Sequence, residues 1–170
     1  DIGAALVADN RIAGVVFTGS VPASKAIARN LLADDDRPIV PLIAETGGIN
    51  AMIVDSTALT EQVARDVVIS GFQSAGQRCS ALRLLLLQEE IAEHTLKMLH
   101  GAMQALHIGD PADPATDVGP VIDQAAYDRL MQYRKTVRDQ IIGTVDVPEN
   151  GLFVPPTLVR LDNMDQLQAG

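Results

Sequence analysis

Apolar runs of strand length, rich in β-branched residues, alternate along this chain with segments patterned as helices. Residues 13–18, 39–44, 51–54 and 82–87 have the length and residue types of strands. Residues 21–33, a segment beginning near Ser56 or Thr57 and weakening at Gly71, residues 89–106 and residues 123–140 carry helical spacing. A further helix is read over residues 2–8, with no strand before it. Strands separated by a helix pair in parallel, because the crossover returns the chain to the same end of the sheet. The expected class is therefore α/β, with parallel sheets covered by helices.

The punctuation agrees with this order. Ser20 follows the first strand as a good helix N-cap, and Pro22 is tolerated in the first turn. Residues 34–38 form a charged turn, and residues 110–120, rich in Pro, Asp and Gly, form a loop. Pro148, Pro155 and Pro156 keep residues 141–170 in turns and extended chain. In the helix over 89–106, Ile91, Thr95, Met98, Ala102 and Leu106 are expected on one face. Residues 82–87 are expected to be a buried strand. Apolar residues make up 47% of the chain but aromatics only 3%, an aliphatic content that suits parallel sheets.

The formal charge of −9, without any run of Lys or Arg, argues against nucleic-acid binding by this segment. The single cysteine excludes an internal disulfide and fits a reducing compartment. No stretch is apolar and long enough to span a bilayer. His94, His100 and His107 have no Cys or paired acid at ligand spacing, so no metal site is expected. Asp34, Asp35 and Asp36 read as a solvated turn.

Candidate chemistry gathers at three places. The lone thiol, Cys79, lies in Gly76-Gln77-Arg78-Cys79-Ser80, at the end of a helix. A thiolate is a strong nucleophile toward an aldehyde carbon. Arg78 or backbone amides can favour the thiolate, and a small buried hydrophobe is the alternative reading of the cysteine. An isolated acid stands in Glu45-Thr46-Gly47-Gly48, where it is either a general base or a solvent-facing acid at a strand end. The strand–Gly19-Ser20–helix step offers free N–H groups to a phosphate, or is simply a capped helix.

These motifs, in this order, resemble the aldehyde dehydrogenase superfamily. The signature runs from Phe17-Thr18-Gly19-Ser20 through Glu45-Thr46-Gly47-Gly48 to Gly76-Gln77-Arg78-Cys79. The stretches over residues 41–56, 71–83, 109–111 and 117–123 are similar to the glutamate-semialdehyde dehydrogenase domain of bifunctional bacterial proline-utilisation enzymes. The resemblance implies a partial aldehyde dehydrogenase-like fold. Residues 1–52 would form part of an NAD-binding, Rossmann-like domain, and residues 53–170 part of the α/β catalytic domain.

The resemblance further implies NAD-dependent oxidation of L-glutamate γ-semialdehyde to glutamate. Cys79 is the implied nucleophile and Glu45 the implied base for thioester hydrolysis. Gly19, Ser20, Thr46, Gly47 and, less directly, Gly3 are implied at the cofactor. Ser80, Arg78 and Phe72 are implied at the substrate, with core packing the alternative for Phe72 and a structural ion pair for Arg78. FAD would belong to the proline dehydrogenase domain of a bifunctional parent, not to this segment. The implied parent is a bacterial cytoplasmic homo-oligomer, peripheral at the inner membrane in some settings.

In that family a Glu-x-Phe-Gly-Pro stretch soon follows the region matching residues 163–168, whereas this chain ends at Ala169-Gly170. A fragment of a larger enzyme, inactive by itself, is expected. Another aldehyde specificity, a stand-alone enzyme and a non-catalytic module remain alternatives.

Overall fold

The computed structural model describes residues 2–167; Asp1 and residues 168–170, the ends on which the expectation of a partial chain rests, lie outside them. The chain divides into two compact units, residues 1–48 and residues 49–170. The strand over residues 50–54 pairs with a later strand and so belongs to the second unit.

The first unit is helix α1 (Ile2–Ala8), strand β1 (Val15–Gly19), helix α2 (Val21–Leu31) and strand β2 (Leu42–Thr46). β1 and β2 pair in parallel, from Val15 opposite Leu42 to Gly19 opposite Thr46. Both strands start and end later than the apolar runs suggest, because Pro41 and its neighbours link to β1 only through Val15 N–H and the Pro41 carbonyl. Ser20 caps α2, its hydroxyl oxygen accepting from Ala23 N–H at 3.3 Å, and a proline occupies the first turn.

Arg37 is the buried cation of this unit. Its guanidinium donates to the carbonyls of Val7 (2.9 Å), Asp9 (3.3 Å) and Ile12 (3.3 Å), satisfying the C-terminal end of α1 and the turn that follows. At the surface of the same turn, hydrogen bonds from the Arg11 side chain and backbone hold the Asp9 carboxyl down at about 2.

The second unit contains β3 (Asn50–Val54), α3 (Thr60–Phe72), β4 (Leu82–Leu87), α4 (Glu89–Gln104), α5 (Gln124–Thr136), β5 (Ile141–Thr144) and β6 (Thr157–Val159). β3 and β4 are parallel, while β5 and β6 are antiparallel. α3 starts at Thr60, later than the apolar spacing suggests. The Asp55 carboxylate accepts from Thr57 N–H (2.8 Å) and Thr57 hydroxyl (2.6 Å), closing a turn that holds the backbone out of helix. α5 begins after Asp123, whose carboxylate caps Ala126 N–H at 2.7 Å, and gives way to a short 3-10 turn over Arg138–Gln140.

The core lies between α3, α4 and the β3/β4 pair, around Val54, Val63, Val67, Leu99, Met103, Ile108, Val118 and Val145. The buried stripe of α4 is Thr95, Leu99 and Met103, not the expected line through Met98 and Ala102, which are only half-buried. Packing against α3 selects the residues four apart, because ridges of that spacing fit the neighbouring helix. β4 is likewise half-buried rather than buried, with Arg83 and Leu86 exposed, since among the described residues it pairs with β3 alone. A bulge at the start of the pair interrupts strict alternation: Asn50 faces Leu82, then Ala51 faces Leu84.

Leu99 is fully buried at the α3/α4 contact. Leu99→Ala should cost about 3–5 kcal/mol of local stability through lost burial and the cavity left behind. Faster hydrogen exchange of α3 and α4 amides, measured in the protein that carries this segment, is the expected readout.

Candidate active site

In the first unit the strand register brings four of the expected residues together. Gly19 lies opposite Thr46, and Thr18 opposite Glu45, at the C-terminal ends of β1 and β2. Ser20 follows directly at the start of α2. This is the end of a parallel sheet at which ligands of open α/β sheets bind, with a helix N-terminus facing it. The Ser20 hydroxyl accepts from Ala23 N–H and keeps its own proton to donate. A Cβ built on Gly47 or Gly48 meets nothing within 4 Å, so packing within the chain does not demand glycine there. Gly19 differs, because a Cβ there would lie 2.5 Å from the Phe17 ring. Glu45 is exposed, and Gly3 lies exposed on α1, which packs against α2. A helix N-terminus, a free hydroxyl proton and open glycines fit a dinucleotide phosphate.

In the second unit the chain leaves α3 and immediately reverses. Ser74 (φ 56, ψ 30) and Ala75 (φ 51, ψ 33) are both left-handed, and Gly76 continues at φ 64. A left-handed L-residue costs roughly 1–2 kcal/mol, so two in succession need support. Gln77 provides much of it. Its backbone N–H and its side-chain amide both donate to the Ser74 carbonyl, each at 3.0 Å. Its side-chain oxygen accepts from Ile122 N–H at 2.8 Å, tying the reversal to the loop before α5. Ala75 packs against the core, and the Arg83 guanidinium donates to the Gly76 carbonyl.

The reversal delivers residues 78–81 as a tight turn. Ala81 N–H donates to the Arg78 carbonyl at 3.1 Å, so Cys79 and Ser80 are its two central residues. Both are exposed, and the thiol is free rather than packed in the core. Among the described residues neither the Cys79 nor the Ser80 N–H has an acceptor within the protein. Asn50, at the start of β3, holds the turn from below, its side-chain amide donating to the Cys79 carbonyl (2.7 Å) and the Ala81 carbonyl (2.9 Å). Ser70 hydroxyl accepts from Leu82 N–H at 3.2 Å where the turn enters β4.

Arg78 donates to the Gln73 side-chain oxygen at 3.2 Å and makes no ion pair among the described residues. Its charge stays beside the thiol in sequence. Phe72 is half-buried against the core, and it also lines an apolar cavity of about 590 Å³ with Val67, Tyr133, Arg134 and Leu158. Cys79, Ser80, Arg78 and Phe72 are thus assembled in one unit, while Glu45, Thr46, Gly47, Gly19, Ser20 and Gly3 belong to the other. The residues not anticipated are Asn50, Gln77, Ser74, Ala75 and Arg83. The one available signal was Gln77, two residues before the thiol in a polar segment.

The chain belongs to the aldehyde dehydrogenase family, which it matches over residues 1–168. Within that family it is 51% identical to the bifunctional protein PutA of Klebsiella aerogenes, over 98% of this chain and 14% of that protein. A solved structure of a proline utilization A (PutA) variant from Bradyrhizobium japonicum superposes with a TM-score of 0.94 at 54% identity, covering 99% of this chain and 17% of that one. The Thermus 1-pyrroline-5-carboxylate dehydrogenase with bound NAD gives a TM-score of 0.84 at 30% identity, over 92% of this chain and 31% of that one. The chain therefore spans a small part of the length of the relatives it matches.

Gly76 is the most tightly constrained residue beside the thiol. A Cβ there would lie 2.8 Å from the Arg83 guanidinium and 2.9 Å from the Gly71 carbonyl, on a left-handed backbone. Gly76→Ala should destabilise the turn by about 1–3 kcal/mol. Alkylation of Cys79 by iodoacetamide in the complete protein, followed by mass spectrometry, should change in rate, whereas alanine at exposed Gly101 in α4 should leave it unaltered.

Proposed function

We propose that this chain is the nucleophile-bearing part of an NAD-dependent L-glutamate γ-semialdehyde dehydrogenase acting in proline catabolism. The observation that carries the reading is the turn at Cys79. It exposes a lone thiol between two backbone N–H groups that have no acceptor within the described protein. The identity to PutA and the likeness to a 1-pyrroline-5-carboxylate dehydrogenase support the substrate class.

The chemistry follows from these groups. The Cys79 thiolate attacks the aldehyde carbon, a C–S bond forms, and the carbonyl π pair moves onto oxygen. The Cys79 N–H, fixed by the turn, stabilises that oxyanion. NAD+ when bound supplies the acceptor for the hydride lost as the carbonyl re-forms, leaving a thioester on Cys79. Glu45 takes a proton from water as the water attacks the thioester, and the C–S bond breaks to return the thiolate and release the carboxylate product. Ser20, Gly19, Thr46 and Gly47 would hold the cofactor, with Gly3 on the helix beside α2. Ser80 hydroxyl would meet the substrate's α-carboxylate, with Arg78 and Phe72 at its entry.

Activity on this reading belongs to the longer protein of which the relatives are examples, and the 170 residues alone should not turn over. Any FAD would lie in a separate proline dehydrogenase domain. A cytoplasmic homo-oligomer, acting on a small aldehyde without metal or nucleic acid at this segment, completes the proposal. Among the described residues no helix is long and apolar enough to cross a membrane.

Cys79→Ala in the complete protein should abolish NADH formation from pyrroline-5-carboxylate while NAD binding persists. Turnover by that variant would sink the reading in favour of a non-catalytic module. Glu45→Gln should slow thioester hydrolysis by roughly 10²–10⁴-fold and spare acylation, giving a burst of NADH followed by slow turnover. Equal loss of burst and steady state would make Glu45 a structural residue instead.

A further inference from the structure

Asn50 has no part in the proposed chemistry, yet its side chain grips the turn that presents the thiol. Its amide donates to both the Cys79 carbonyl, at 2.7 Å, and the Ala81 carbonyl, at 2.9 Å. The Cys79 carbonyl and the Ser80 N–H belong to one planar trans peptide and point in opposite directions. Holding that carbonyl therefore aims the Ser80 N–H away from Asn50, on the side free of acceptors. The preceding peptide is fixed in the same manner. Its Arg78 carbonyl accepts from Ala81 N–H at 3.1 Å, which turns the Cys79 N–H outward. Two hydrogen-bonded carbonyls thus set the direction of two N–H groups and of the Cα from which the thiol projects.

Without the amide, the central peptide of such a turn is the part free to rotate, since among the described residues no other group donates to the Cys79 carbonyl. Asn50 is well placed to prevent this. It opens β3 opposite Leu82, the first residue of β4, at the point where the bulge shifts the pairing. Arg83, the residue skipped by the bulge, reaches the Gly76 carbonyl on the other side of the loop. The loop that carries the thiol is therefore held by side chains from two paired strands as well as by its own Gln77.

We propose that Asn50 is the positioning residue of the nucleophile: its amide locks the Cys79–Ser80 peptide so that the thiol meets the aldehyde carbon while the two flanking N–H groups meet its oxygen. This rests on the reading of Cys79 as nucleophile. A misplacement of about 1 Å, or the loss of one oxyanion donor, lowers a chemical step by roughly 10²-fold.

The test uses Asn50→Leu, which keeps the approximate volume and removes both donors, and Asn50→Ser, which keeps one. Both are made in the complete protein, beside Cys79→Ala as the control for the nucleophile itself. Stopped-flow NADH formation with pyrroline-5-carboxylate gives acylation, and iodoacetamide gives thiol reactivity. Alkylation needs the thiolate but no oxyanion donor. Asn50→Leu should lose acylation by roughly 10²-fold while KM and the alkylation rate stay within about threefold, and Asn50→Ser should recover part of the loss.

An undiminished burst in Asn50→Leu, with Cys79→Ala inactive, would overturn the positioning role and leave the nucleophile reading intact. Parallel loss of acylation and alkylation would overturn it too, by showing that Asn50 merely keeps the loop folded. Turnover by Cys79→Ala would remove the basis of both.

Discussion

A parallel strand pair cannot be closed by a tight turn, so its connection must leave one end of the sheet and return to the other. That constraint distributes every residue of interest in this chain. In residues 1–48 the crossover through α2 starts at the C-terminal end of β1, so Gly19 and Ser20 meet Glu45 and Thr46 by register. In residues 49–170 the crossover through α3 must come back to the N-terminal end of β4, and the thiol lies on that return. Cys79 is consequently beside the beginning of β3 rather than its end. Asn50, the residue that begins β3, becomes its neighbour for topological reasons before any chemical ones.

The return path also explains the concentration of strain. α3 ends at Phe72 and β4 begins at Leu82, leaving few residues to reverse direction and form the turn. Left-handed Ser74, Ala75 and Gly76 accomplish the reversal in the shortest length. Glycine takes this conformation at no steric cost, whereas serine and alanine do not. Their backbone is held by Gln77, whose side chain bonds on both sides of the loop, and by core contacts of Ala75.

Much of this was legible in the amino-acid order. Strand and helix alternation gave the class, Ser20 and Pro22 marked the start of α2, and the glycine- and cysteine-bearing motifs pointed to the family. Element edges were less legible, because Asp55 and Thr57 close a turn with side chains where apolar spacing already suggested helix. The buried face of α4 depended on its partner: Thr95, Leu99 and Met103 and the alternative line both satisfy helical spacing, and only packing against α3 chooses. Left-handed Ser74 and Ala75 carry no local signature at all. Asn50 reads as an ordinary polar residue at the start of a strand, and its partners lie about thirty positions away in sequence.

The distance between Asn50 and its partners along the chain bears on how the site keeps its shape. A loop held only by its own residues shares its fluctuations with the groups that hold it. Here, beside Gln77 of the loop itself, the thiol-bearing segment is held by Asn50 and Arg83, which belong to the paired strands β3 and β4. Strand residues in a paired ladder move less than loop residues, so their side chains transmit the rigidity of the sheet to the turn. The bulge lies at the same place. Arg83, skipped in the register, is the residue whose guanidinium reaches the Gly76 carbonyl, while Asn50 still faces Leu82 and holds the Cys79 carbonyl.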